Sequence, residues 1–140
     1  MKPRRFETAS EDETIAIGRR LAAELPRRAV ILLIGNLGAG KTTLAKGIVD
    51  GLGVVPQDEV SSPTFTLIHE YGSDGRVYHI DLYRLETAAE VATLGLDEIF
   101  DREAVALIEW GERFAELMPP DRIEIRLRTM EDDRREIIVG

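Results

Sequence analysis

Cysteine is absent from this 140-residue chain, which excludes disulfides and thiolate metal sites. That absence fits a reducing cytoplasm, the expected location. Long apolar runs are absent too: no segment approaches the roughly 20 apolar residues of a membrane span, so no membrane partner is expected. The opening "MKPRRFETASEDE" has no apolar stretch behind its basic residues and does not read as a secretory signal. Positive charge is scarce. Lys and Arg number 18 against 26 Asp and Glu, for a formal charge of −8. This balance opposes broad binding to DNA or RNA, because phosphate neutralisation supplies most of such affinity. Work on RNA through a basic partner stays open. Repeats, low-complexity tracts and linkers are also missing, so residues 1–140 read as one domain. A chain of this length buries about two-thirds of its unfolded surface.

What is present alternates between strand and helix patterns. Ser10-Glu11-Asp12-Glu13 is a capping box, followed by an apolar stripe of Ile15, Ile17, Leu21, Ala22 and Leu25 that predicts a helix up to Pro26. "AVILLIG", Ala29 to Gly35, predicts a central parallel strand. "KTTLAKGIVDGLG" predicts a helix stopped by Gly51 and Gly53. "SSPTFTLIHEY" and "RVYHIDLY" flank a glycine-bearing turn, a hairpin signal. "TAAEVATLGLDEIFD" reads as helical with a break near Gly95, and "AVALIE", Ala104 to Glu109, as a buried strand. "RIEIRLR" and "REIIV" predict a second hairpin. The expected class is α/β, a mostly parallel sheet with added antiparallel hairpin strands.

"GNLGAGKT", Gly35 to Thr42, matches G-x-x-x-x-G-K-[ST] in full between a predicted strand and a predicted helix. Gly35, Gly38 and Gly40 let the backbone curl so that its N–H groups face phosphate oxygens. Leu37, Ala39 and Thr43 belong to the same cradle. Lys41 would reach the β- and γ-phosphates, the helix start would add its positive dipole end, and Thr42 would offer a hydroxyl to Mg²⁺. Nucleotide binding is the strongest signal in the chain.

A P-loop protein usually holds its magnesium with an acid on a neighbouring strand. Two apolar runs end in acids, "VYHID" at Asp81 and "VALIE" at Glu109. The run before Glu109 is the cleaner, whereas His79 interrupts the other, so the pattern favours Glu109 for the metal. One acid could bind metal while the other orients water, or one could cap a turn. "SSPTFT", Ser61 to Thr66, could carry a hydroxyl that senses the γ-phosphate, although Ser and Pro are also ordinary turn residues. His69 and His79 read as surface or packing residues of a hairpin.

A GTPase would need N-K-x-D, which is absent; Asp50-Gly51-Leu52-Gly53 fits D-x-x-G only at the wrong place. A small-molecule kinase is the alternative reading. Arg84 and Arg102 could cover phosphates, but the chain offers little room for an acceptor domain. A compact ATPase acting on a partner is favoured.

"GNLGAGKTTLAKGI", "SSPTFTLIHEY", "VYHIDLYRLE", "LGLDEIF" and "ALIEWGER" follow one another as in the bacterial TsaE family, formerly YjeE. The chain resembles that family from about Ser10 to Arg113. The resemblance implies a three-layer P-loop NTPase fold and an ATPase of the tRNA threonylcarbamoyladenosine pathway. It implies ATP and Mg²⁺ as ligands and TsaB and TsaD as partners, with tRNA met only through them. TsaB and TsaD attach threonylcarbamoyl to adenosine 37, and ATP hydrolysis by the TsaE-like chain would reset them for another round. The resemblance further places Lys41 and Thr42 on phosphate and Mg²⁺, and makes Thr64 the switch-like hydroxyl. Asp81 becomes a catalytic or water-orienting acid, Glu109 a metal carboxylate, and Trp110 a neighbour of the site. Glu11 falls near the adenine end. Asn36 stands where the family usually carries an acid. It keeps the size and some hydrogen bonding and loses a charge.

Overall fold

A computed structural model describes residues 3–36, 38–54, 60, 67–72 and 76–140. Two of the expected site residues, Leu37 and Thr64, lie outside that set, as does the whole Ser61–Thr66 segment.

Seven strands form one sheet: β1 (Arg4–Thr8), β2 (Ala29–Ile34), β3 (Ile68–Tyr71), β4 (Val77–Asp81), β5 (Val105–Glu109), β6 (Ile123–Thr129) and β7 (Arg135–Val139). Their order across the sheet is β1-β7-β6-β2-β5-β4-β3. β6, β2, β5 and β4 run parallel, while β3 at one edge and β7 and β1 at the other are antiparallel additions. Both expected hairpins are present as β3–β4 and β6–β7. β1 is the strand the sequence reading missed. Its only strongly apolar residue is Phe6, so the alternation is too faint to show until β7 offers a partner.

The parallel strands are apolar throughout because both faces are covered. Side chains alternate, so Ile31, Leu33, Val105 and Leu107 pack on one face with Leu21, Leu44, Ile48 and Val49. Val30, Leu32, Ala106 and Ile108 pack on the other with Val91, Ile99, Phe100 and Phe114. The helices supplying the first cluster are α1 (Glu11–Ala22) and α2 (Lys41–Gly51). Those behind the second are α3 (Ala88–Ala92) and α4 (Leu96–Phe100), with 3-10 turns over Gly111–Leu117. Gly95 divides α3 from α4, as expected, with φ of 69°.

α1 differs in two details from expectation. It stops at Ala22, short of Pro26, because the chain tightens into turns in which Glu24 and Leu25 N–H groups bond to Leu21 and Ala22 carbonyls. Ser10 Oγ does accept from the Glu13 N–H at 3.1 Å, but the Glu13 carboxylate reaches back to the Ala9 N–H at 3.2 Å, not to that of Ser10. The two helices approach at glycines: a Cβ on Gly47 would lie 2.1 Å from the Ile15 carbonyl oxygen, and one on Gly18 would lie 2.6 Å from that of Leu44. This contact brings the first turn of α1 over the start of α2.

Candidate functional site

The carboxyl edge of the parallel strands opens into a cavity of about 560 Å³. Ligands of open α/β sheets bind at this edge, outside the strand ends. Five parts of the chain meet there: the first turn of α1, the loop after β2, and the ends of β4, β5 and the β6–β7 hairpin.

The loop after β2 delivers the chain to α2 through Gly40, whose φ of 102° is a conformation that L side chains rarely adopt. Gly40 is the N-cap of α2 and has no side chain to offer. The first N–H groups of α2 at Lys41, Thr42 and Thr43 therefore lack the side-chain acceptor that Ser10 provides for α1 and Thr87 for α3. Gly38, Gly40, Lys41, Thr42 and Thr43 all line the cavity; Ala39 is buried behind them. Asn36 accepts the Ala39 N–H through its backbone carbonyl at 3.1 Å, so its role in shaping the loop does not depend on its side chain.

Lys41 is 4% exposed. Its Nζ donates to the Gly35 carbonyl at 2.7 Å and lies 3.8 Å from the centroid of the Trp110 ring. Burial lowers the Lys41 pKa, and the nearby Glu109, Glu112 and Asp81 carboxylates pull it back up. One cation thus faces three acids.

Asp81 and Glu109 are paired in register at the last positions of β4 and β5, both buried, both on the face covered by α2. Asp81 Oδ1 accepts the Tyr83 N–H at 2.9 Å, which turns the chain after β4. Glu109 Oε2 receives Thr42 Oγ1 at 3.4 Å and His79 Nε2 at 2.6 Å. Directly after Glu109, Trp110 takes φ of 67°, which reverses the chain and lays the indole beside Tyr83, with ring centroids 5.2 Å apart. Glu11 lines the far part of the cavity with Ser10 and Thr14.

A hydroxyl and carboxylates are hard oxygen donors, the set that suits Mg²⁺. Among the described residues no group of three or more His, Cys, Asp or Glu side chains is arranged as a metal cage.

Three participants escaped the sequence reading. Asp133 and Arg135 line the cavity from the β6–β7 hairpin, and Arg135 Nη2 points at the Gly38 carbonyl at 3.4 Å. An alternating tail carries no mark of this, because the proximity arises from β6 lying beside β2. His79 was expected only to pack or face water. It is wholly buried and bonded to Glu109. The pair of strand-end acids and the glycine-rich turn into α2 were legible; the histidine's direction was not.

The family profile for "Threonylcarbamoyl adenosine biosynthesis protein TsaE" matches residues 8–137. The chain belongs to the TsaE family. A TsaE protein of Bacillus subtilis is 44% identical over 139 residues, covering 98% of this chain and 85% of that one. One from Treponema pallidum is 39% identical, covering 94% and 96% respectively. Both bear the name tRNA threonylcarbamoyladenosine biosynthesis protein TsaE. The crystal structure of Bacillus subtilis YdiB superposes with a TM-score of 0.79 at 38% identity, over 99% of this chain and 84% of that one. The chain is accordingly a TsaE-family component of tRNA threonylcarbamoyladenosine biosynthesis, with a mixed α/β sheet that is parallel at its centre. Among the described residues no helix is long and apolar enough to cross a membrane.

Proposed function

We propose that this TsaE-family chain is a P-loop ATPase that hydrolyses ATP to reset a TsaB–TsaD complex between rounds of tRNA modification. One observation carries the reading: the uncapped start of α2, the buried Lys41 and the Asp81–Glu109 pair converge on one cavity. The three-layer P-loop NTPase fold is part of the same proposal, supported by apolar clusters on both faces of the sheet.

The N–H groups of residues 38–43 bind the phosphates, and Glu11 with Ser10 and Thr14 contacts the nucleoside end. Lys41 exchanges the Gly35 carbonyl for a phosphate oxygen, a short move that keeps its charge partly desolvated and so effective. Thr42 and Glu109 would hold Mg²⁺, which when bound neutralises charge on the phosphates. Asp81 accepts a hydrogen bond from the attacking water and holds it in line, a task that needs position more than covalent chemistry. Trp110 and Tyr83 wall the cavity and exclude bulk water from it. Thr64, in the segment outside the described residues, is assigned the γ-phosphate sensor, and Leu37 a backbone contact.

The test is phosphate release from γ-labelled ATP with and without purified TsaB and TsaD. Stimulated release of inorganic phosphate is expected. Label appearing on a metabolite instead would favour a small-molecule kinase, and no stimulation by the partners would overturn the resetting role.

A further inference from the structure

His79 is a polar ring in a place that packing alone would give to Val or Leu. It lies at the centre of β4 and is 0% exposed. In the β4–β5 register His79 opposes Leu107, two positions before Asp81 opposes Glu109, so all four side chains share the face under α2. Burying an imidazole there costs free energy unless it is hydrogen-bonded. Its bond runs diagonally to the next acid: Nε2 lies 2.6 Å from Glu109 Oε2. Nδ1 has no partner among the described residues, so among them Glu109 alone anchors the ring.

The same oxygen, Oε2, is the one that Thr42 Oγ1 approaches at 3.4 Å. Among the described residues both contacts of this carboxylate fall on Oε2. A free carboxylate spins about its last bond; this one is fixed from below by β4 and from the side by α2. We propose that His79 is the positioning residue of the metal site: its Nε2–H holds Glu109 Oε2 and turns Oε1 toward the divalent cation of a bound nucleotide. The inference rests on the nucleotide reading above. Hydrogen-bond partners behind metal ligands orient them, and losing one typically costs about 10- to 100-fold in metal affinity or activity.

Metal binding tests this apart from turnover. Mn²⁺ affinity is measured by electron paramagnetic resonance on the full chain with a non-hydrolysable ATP analogue. The chains compared are the parent, His79→Leu, His79→Asn, His79→Gln and Glu109→Gln. A Gln amide nitrogen reaches as far from the backbone as Nε2, whereas an Asn amide stops near the level of Nδ1. His79→Leu and His79→Asn should therefore weaken Mn²⁺ about 10- to 100-fold, while His79→Gln stays within about threefold of the parent. Affinity for the analogue without metal should be unchanged in all three. If His79→Leu fails to fold, the Gln–Asn contrast still decides. Equal losses in Gln and Asn, or parental affinity in His79→Leu, would show that His79 only fills space. A parent that binds no Mn²⁺ with nucleotide would instead sink the nucleotide reading itself. In the ligand-free chain, nitrogen-15 spectra should place a proton on His79 Nε2 and show its signal moving in Glu109→Gln. A proton confined to Nδ1 overturns the proposal.

Discussion

Two buried glutamates in this sheet keep opposite company. Glu136 on β7 and Glu109 on β5 are 6% and 4% exposed. Each oxygen of Glu136 is held by a guanidinium, Oε1 by Arg128 and Oε2 by Arg5, across the antiparallel strands β6, β7 and β1. Glu109 has a histidine and a threonine on one oxygen and lines a cavity beside Lys41, on which Glu112 and Asp81 also act electrostatically. The first acid is saturated with charge-assisted bonds and ties three strands together. The second is held in place by Thr42 and His79, with no arginine bonded to it among the described residues. A saturated acid stabilises; a restrained and unsaturated one can bind.

The largest effect should come from the cavity's own cation. Lys41→Ala should lower partner-stimulated phosphate release by about 10³-fold, since it removes the charge that faces the phosphates. A loss of only a few-fold would break the comparison by showing that the cavity does not rely on that charge. Next, Glu109→Gln should lower the same rate by about 10²-fold while leaving the thermal midpoint no lower than the parent's. Glu136→Gln should do the reverse, leaving stimulated phosphate release at the parental level while the thermal midpoint falls. If both glutamates affect stability alike, the distinction between them is wrong.

Acid titration sharpens the point. Hydrogen bonds from Arg128 and then Arg5 hold the Glu136 carboxyl below its ordinary range. A carboxyl depressed in the folded state adds stability that is complete above its unfolded pKa and is lost as pH falls through its lower folded value. Scanning calorimetry should therefore show the parent and Glu136→Gln furthest apart near neutral pH and converging in acid. A constant gap at all pH would assign the Glu136 contribution to packing.

The smallest expected signal is spectroscopic. Trp110 is the only tryptophan and already touches Lys41. Its fluorescence should change when ATP with Mg²⁺ draws the Lys41 ammonium away. An unchanged spectrum at saturating nucleotide would remove Trp110 from the site.

Much of this was readable because it is local. The glycines before α2, the Ser10 cap of α1, the apolar run that ends on Glu109 and the break at Gly95 each follow from neighbours a few residues apart. Local rules of backbone freedom, periodicity and capping determine them whatever the rest of the chain does. The sequence by itself thus determined the glycine-rich loop before α2, the central strands, both hairpins and the acids that end two apolar runs. Only the tertiary structure decided what those acids face. β6 lies parallel to β2, which carries Arg135 and Asp133 to the cavity from a tail with no motif. The register of β4 on β5 aims His79 at Glu109, and the glycine contact between α1 and α2 sets Glu11 above the loop. Those outcomes depend on which strands are neighbours and in what register, and hydrophobic burial over the entire sheet selects that, not any single stretch.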